Sequence, residues 1–222
     1  MNDLKRLALP ALAAAVLAST LSGCAPLMFG SAAVGTMVAV DRRTSAAQLE
    51  DETIELRAAS RLGEVLGSLA HINVTSYNRQ VLLTGEVPDA ASKQLAEQTV
   101  TKVDNVRSVI NELAVMRASS LTQRGNDVYI TGKVKATLVD AKDLTATAFK
   151  VVTERGTVHL MGRVTQRESE RATALVRQVS GVTRVVRAFE IISEEELARI
   201  APKAPTPAAA PVSAAQPASA AK

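Results

Sequence analysis

Apolar positions along this chain change period repeatedly between residues 51 and 192, and each change marks an element. Over residues 51–65 they recur at helical spacing, with Ile54, Ala58, Leu62 and Val65 on one side at about 100° per residue. Residues 72–87 hold two short runs of apolar and β-branched side chains parted by Asn78-Arg79, which predicts a tight hairpin. Helical spacing returns over 89–103, and a last apolar run ends near Val115. The succession then starts again. Residues 127–141 carry Ile130, Val134, Leu138 and Ala141 on one helical side, and 149–164 predict a second hairpin around Arg155-Gly156. A helix over 165–180 and a strand ending near Ile192 complete it.

The two halves are copies of one unit. "INVTSYNRQVLLTGEV" (72–87) aligns with "FKVVTERGTVHLMGRV" (149–164) at an offset of 77, pairing Val81 with Val158, Leu83 with Leu160 and Gly85 with Gly162. The opening helices and closing strands align at 76, Asp51 with Asp127 and Val109 with Val185, so the loops absorb a one-residue slip. Each copy reads αββαβ. A three-stranded mixed sheet with both helices on one face is the two-layer solution for that order, so the fold class is α+β with two tandem modules. Gly85 and Gly162 lie inside strands, where glycine marks a bulge or a close backbone approach, and are candidate structural glycines.

Outside the repeat the composition shifts. Residues 1–23 have a basic start, an apolar run of 14 residues containing Pro10, and small residues before Cys24. That is the layout of a secretory signal peptide, and the run falls short of the ~20 residues of a membrane span. Leu21-Ser22-Gly23-Cys24 resembles the bacterial lipobox L-[AS]-[GA]-C, whose cysteine is acylated and becomes the mature N-terminus. Cys24 is the sole cysteine, which excludes disulfides, thiolate metal sites and cysteine nucleophiles. Residues 24–45 then read as a small-residue apolar tether, 46–118 as the first module and 124–192 as the second. Residues 193–222 are a Pro/Ala-rich tail with too little apolar surface to order itself. With no Trp and few other aromatics, the cores must be built from Val, Leu, Ile and Ala, which suits small domains.

No enzyme constellation emerges. His71 and His159 sit in strand contexts without metal-ligand spacing, and neither a G-x-S-x-G elbow nor a phosphate loop is present. No cofactor, nucleic acid or small-molecule substrate is expected. Charge, in contrast, is uneven. Residues 41–118 carry 9 Lys/Arg against 11 Asp/Glu, whereas 124–192 carry 12 against 7. The opening helices differ in the same sense. The side opposite the core stripe holds Glu52, Glu55 and Ser60 with Leu56 and Ala59 in the first copy. In the second it holds Val128, Tyr129, Gly132, Ala136 and Val139, flanked by Lys133 and Lys135. An apolar, tyrosine-bearing, lysine-edged face is the composition of an interfacial helix. The same residues could instead pack the second module on the first, or stand exposed with no partner, and all three readings stand open at this level.

Around the repeated glycines the strands read "VLLTGEV" and "VHLMGRV". That element within an αββαβ module resembles the BON domain, whose hallmark is one glycine in the pattern hLxGxV. A lipobox followed by two such modules is similar to the DolP family of dual-BON outer-membrane lipoproteins, over residues 21 to about 192. The resemblance implies a non-enzymatic lipoprotein held on the outer membrane through Cys24 and facing the periplasm. Ala25, in place of aspartate, agrees with that destination. It further implies that the second module binds anionic phospholipid (phosphatidylglycerol or cardiolipin) through its first helix, supporting envelope integrity, including at division sites. Tyr129 stands where the family has tryptophan. The rival expectation is a protein-interaction module for outer-membrane assembly or division-site proteins.

Overall fold

The computed structural model describes residues 41–67 and 70–200. The expected signal peptide, Cys24, most of the expected tether and the chain beyond Ile200 lie outside them. In the first module, helix α1 (Ser45–Leu66) starts where the Thr44 side chain accepts from the Ala47 N–H. Strands β1 (His71–Tyr77) and β2 (Gln80–Val87) pair antiparallel, and Asn78 and Arg79 both take positive φ, as a two-residue hairpin turn demands. Helix α2 (Ala90–Thr101), capped by Asp89, returns the chain to β3 (Ser108–Asn111) and β4 (Ala114–Val115), both parallel to β2. One closing strand was expected. It is broken because Asn111 turns its amide to the Lys93 carbonyl and its Oδ1 toward the Leu113 N–H.

The second module repeats the plan. Helix α3 (Leu121–Asp140) precedes a 3-10 turn (Ala146–Ala148), the hairpin of β5 (Lys150–Glu154) and β6 (Thr157–Val164), helix α4 (Gln166–Arg177) and β7 (Arg184–Ile191). Here β7 runs unbroken beside β6 from Thr157↔Arg184 to Val164↔Ile191. The chain does not lose its structure at residue 193, as expected from composition. Helix α5 (Glu194–Ile200) follows, because Ser193 accepts from the Glu196 N–H, acidic residues fill the first turn, and Glu196 pairs with Arg163.

Each sheet carries its helices on one face over its own core. Ile54, Ala58 and Leu62 meet Val81, Leu83 and Val100 in the first module; Ile130, Val134 and Leu138 meet Val158, Leu160 and Val176 in the second. Val65, assigned to the inner stripe, is instead 47% exposed and lines an open groove with Arg61, Leu95 and Lys102 beyond the sheet. A carboxylate joins each stripe. Asp51 accepts from the Asn78 and Arg79 N–H groups, the Ser76 hydroxyl and Arg43; Asp127 accepts from the Arg155 and Gly156 N–H groups. Each helix thereby holds its own hairpin turn. Burial alone would raise the Asp51 carboxyl, but these donors hold it below its ordinary range. Gly85 has φ +109°, and a Cβ there would lie 2.0 Å from the His71 carbonyl oxygen; at Gly162 it would lie 2.2 Å from that of Ala148. The strands approach too closely for any side chain.

The opposite faces of the two sheets are packed together. Tyr77, Leu82, Met161 and Ala188 form a third buried cluster, flanked by Ile110 and Val152. Ion pairs and hydrogen bonds surround it: Arg155 with Glu86 (2.6 Å), Lys150 with Glu55 (2.8 Å), Arg107 with Glu190 (2.9 Å) and Arg184 with Glu112 (2.6 Å). The segment before α1 straps the pair. Arg42 forks onto Glu168 of the second module, and Arg43 bridges Asp41 and Asp51 while its guanidinium lies 4.2 Å from the Tyr77 ring centroid.

His159 lies buried in this interface, with Oε2 of Glu112 3.7 Å from its Nε2. Burial lowers its pKa below the ordinary 6.5, against the opposing charge of Glu112. A depressed histidine favours the neutral form, so its contribution is present above the ordinary value and is lost as pH falls through the folded one. Glu154 has the opposite sign: burial and then the neighbouring Glu86 push it up, so its contribution is lost as pH rises. We therefore expect His159→Leu to flatten the fall of the thermal unfolding midpoint between about pH 7 and pH 5. Parallel pH curves for wild type and variant would contradict this.

Candidate functional site

Helix α3 begins six residues before its expected start at Asp127. The cause is a capping box: the Ser120 side chain accepts from the Gln123 N–H, and the Gln123 side chain accepts from the Ser120 N–H. This S-x-x-Q signal is readable in the sequence. It adds Leu121 and Gly125 to the helix.

The inner side of α3 buries Asp127, Ile130, Val134 and Leu138. At 100° per residue Leu121, Gly125, Val128, Tyr129, Gly132, Ala136 and Val139 fall within one strip on the other side, roughly 27 Å long at 1.5 Å per residue. The whole strip is open to solvent, with Leu121 84%, Val128 72%, Tyr129 66% and Val139 69% exposed. Of the readings left open, packing against the first module is therefore ruled out among the described residues. The first module docks on the far side of the sheet. Where it comes closest, Val128 edges a cleft that also involves His71, Asn73 and Glu154.

The expected lysines behave differently from one another. Lys135 is exposed. Lys133 is half-buried, its ammonium 4.7 Å from the Tyr129 ring centroid and donating to the Ser180 carbonyl, so it steadies the tyrosine from the side. Because Asp127 is turned inward onto the hairpin turn, its charge does not offset the lysines outside. Arg124, Lys133, Lys135 and Lys142 then outnumber Asp140 and Asp143 along and just past the helix, and Asp143 is paired with Arg171. The α1 counterpart places Glu52 between exposed Leu49 and Leu56, an acidic break where α3 has Val128. Gly85 and Gly162 belong to the sheets and lie outside this strip.

A second cluster unites His71, Glu86 and Glu154, whose ligand atoms lie within 4.8 Å of one another. A guanidinium already holds it: Arg155 reaches Glu86 at 2.6 Å and Glu154 at 3.9 Å, His71 Nδ1 is 3.0 Å from Glu86, and Asn73 donates to Glu154 at 3.1 Å. Burial would raise the Glu86 carboxyl, but the Ser119 N–H, Arg155 and His71 bring it below its ordinary value. This is an ion-pair network that fastens one module to the other.

The BON domain family profile matches residues 50–117 and again 126–193. The outer membrane lipoprotein DolP of Haemophilus influenzae is 34% identical over 174 residues, 78% of this chain and 90% of that protein. The 21 kDa hemolysin of Actinobacillus pleuropneumoniae is 31% identical over 155 residues, 69% of this chain and 80% of that one. Among solved structures, the C-terminal domain of CdsD, a structural protein of the type III secretion system of Chlamydia trachomatis, aligns at 10% identity. It covers 60% of this chain and 96% of that one with a TM-score of 0.27, too loose to bear on fold or function. The first two matches agree with the resemblance read from the paired glycine elements.

If the strip lies outside the fold's own packing, charge on it should be tolerated. Val139→Asp should change unfolding free energy by no more than about 0.5 kcal/mol, whereas Val134→Asp, on the buried side, should cost roughly 4 kcal/mol or more. Chemical denaturation of the two variants compares them, and a large loss in Val139→Asp would place the strip inside an interface.

Proposed function

This chain belongs to the dual BON-domain family that includes the outer membrane lipoprotein DolP, and from that premise we propose a non-enzymatic, lipid-anchored protein of the outer membrane whose second module reads anionic phospholipid. Cys24 carries the anchor and the protein faces the periplasm. Burial of acyl chains contributes ~0.8 kcal/mol per CH₂, so several chains hold the protein at the bilayer without help from the modules. The second module is then free to act as a weak sensor of headgroup charge.

The observation that carries this reading is the uncovered strip of α3. Its larger side chains, Leu121, Val128, Tyr129 and Val139, alternate with Gly125, Gly132 and Ala136, so the helix can lie flat and bring its backbone close to the headgroups between them. Tyr129 offers an apolar ring with a polar tip at that depth. Each nearby Lys or Arg contributes roughly 1 kcal/mol at an anionic surface, within a Debye length. The chain path is compatible. Asp41 shares a cleft with Lys142, two residues past the end of α3, and only residues 25–40 separate Asp41 from Cys24. Sixteen residues reach at most about 55 Å when extended, so the helix stays within range of the anchored surface. Among the described residues no helix is long and apolar enough to cross a membrane.

The headgroups that fit are phosphatidylglycerol and cardiolipin, and enrichment of the protein at division sites would follow from enrichment of such lipids there. The test uses residues 24–222 with Cys24→Ser, which removes the acyl anchor and nothing else. Co-sedimentation should increase when phosphatidylglycerol is added to phosphatidylcholine vesicles and should decrease with salt. Tyr129→Ala, Lys133→Glu and Val139→Glu should each weaken it, the two glutamates by roughly tenfold. Equal binding of wild type and all three variants would remove α3 from the contact. Absence of binding to anionic vesicles would favour a protein partner in the outer-membrane assembly or division machinery.

A further inference from the structure

Strand β1 is the free edge of its sheet, for the order is β1-β2-β3. In an antiparallel pair alternate residues bond the neighbouring strand and the rest direct N–H and C=O outward. Ser76 is of the outward set: its N–H donates to Glu55 (2.7 Å) and its carbonyl accepts from Lys150 (3.1 Å). Ile72 and Val74 share its parity. Their backbone groups therefore point the same way, and no side chain among the described residues takes them. One end of the edge is blocked by the Glu55–Lys150 pair, and two residues of it are open.

These open groups face a groove of about 680 Å³. Leu56, Ala59 and Glu52 of α1 form one wall; Val152, Thr153 and Glu154 of β5 form the other. Its lining includes three carboxylates (Glu52, Glu55 and Glu154) and no Lys or Arg. Glu55 is already paired with Lys150 and Glu154 is nearly buried, which leaves Glu52 as the carboxylate open to a ligand. Glu52 has no ion-pair partner among the described residues, and Glu154 has only Asn73 (3.1 Å) and the more distant Arg155 (3.9 Å). Burial and then the charge of Glu86 also raise the Glu154 carboxyl, a strain that an incoming cation would relieve.

We propose that the groove between α1, β1 and β5 docks an extended, basic segment of another polypeptide as an added strand on the β1 edge. Backbone bonds to Ile72 and Val74 supply the ladder, apolar side chains meet Leu56 and Ala59, and a lysine or arginine meets Glu52, with the nearly buried Glu154 carboxylate adding negative charge across the groove. Charge selects this occupant over the alternatives. A second copy joined edge to edge about a twofold axis would set these carboxylates against their own images. The chain's own residues 201–222 contain prolines at 202, 205, 207, 211 and 217, each lacking the N–H a ladder needs. The site does not depend on α3 or on lipid, and it gives the protein a second, separate contact.

The probe is a blocked hexapeptide of alternating valine and lysine, titrated by NMR against residues 24–222 with Cys24→Ser. We expect saturable shifts and slowed amide exchange at Ile72 and Val74. A peptide with glutamate in place of lysine, and one N-methylated at alternate residues, should each bind at least about tenfold more weakly. Glu52→Lys, at an exposed position, should weaken the parent peptide about fivefold and leave the fold intact. Val74→Pro removes one outward donor and should abolish protection there. The N-methylated peptide makes the same test on the probe when that variant fails to fold. Equal affinity of the parent and N-methylated peptides would overturn the proposal, as would shifts centred on α3 or no saturable binding. Tighter binding after deletion of 201–222 would assign the groove to the tail, and concentration-dependent dimerisation abolished by Val74→Pro would assign it to a second copy; either result overturns it as well.

Discussion

A sheet has two faces, and an αββαβ module has helices for only one of them. The rest of the structure follows from how this protein covers the other. Two copies set their bare sheet faces together, so that Tyr77 and Leu82 of the first are buried with Met161 and Ala188 of the second. Burying apolar area against apolar area at roughly 25 cal/mol per Å² makes this arrangement favourable and leaves the helices on the outside. Around the apolar centre, charged residues of opposite sign fix the register, and Arg42 and Arg43 tie the entering chain to both modules. The surface available for other work is therefore the outer side of the helices and the open sheet edges.

Much of this was legible in the sequence because it is local. Helical and strand periods and the turn pairs Asn78-Arg79 and Arg155-Gly156 act within a few residues, and the glycine at position 85, where a side chain would strike His71, acts within one hairpin. The pairing of faces was harder to see, because its contacts join residues about 80 positions apart. One clue was present: "VLLTGEV" and "VHLMGRV" lack strict alternation, as expected of strands buried on both faces. The early start of α3 was also legible, in its capping box. The short helix after Ser193 was legible in the same way, in Ser193-Glu194-Glu195-Glu196, whereas the break at Asn111 was not, since it depends on one side chain finding the Lys93 carbonyl. Asp51 and Asp127 form an intermediate case. Both copies place a carboxylate in the buried stripe, and only the fold shows that it grips the hairpin turn.

Duplication also separates structure from use. Positions that hold the fold are alike in the two copies, while the outward sides have diverged. Glu52 corresponds to Val128 and Thr53 to Tyr129. The first copy presents carboxylates beside an open strand edge, and the second presents an apolar strip with cations beside it. These surfaces suit ligands of different charge and shape, so one molecule can keep both contacts at once. An anchor at Cys24 would bring both to the membrane and let each be weak.

The central claim is that the outer strip of α3, and no other surface, lies at the headgroups. The most direct measurement is paramagnetic broadening of backbone amides by spin-labelled phosphatidylglycerol in nanodiscs, using residues 24–222 with Cys24→Ser. Broadening should peak along Leu121, Val128, Tyr129, Gly132 and Val139 and spare α1 and the β1 edge. Broadening centred on α1, or spread evenly over both modules, would contradict it.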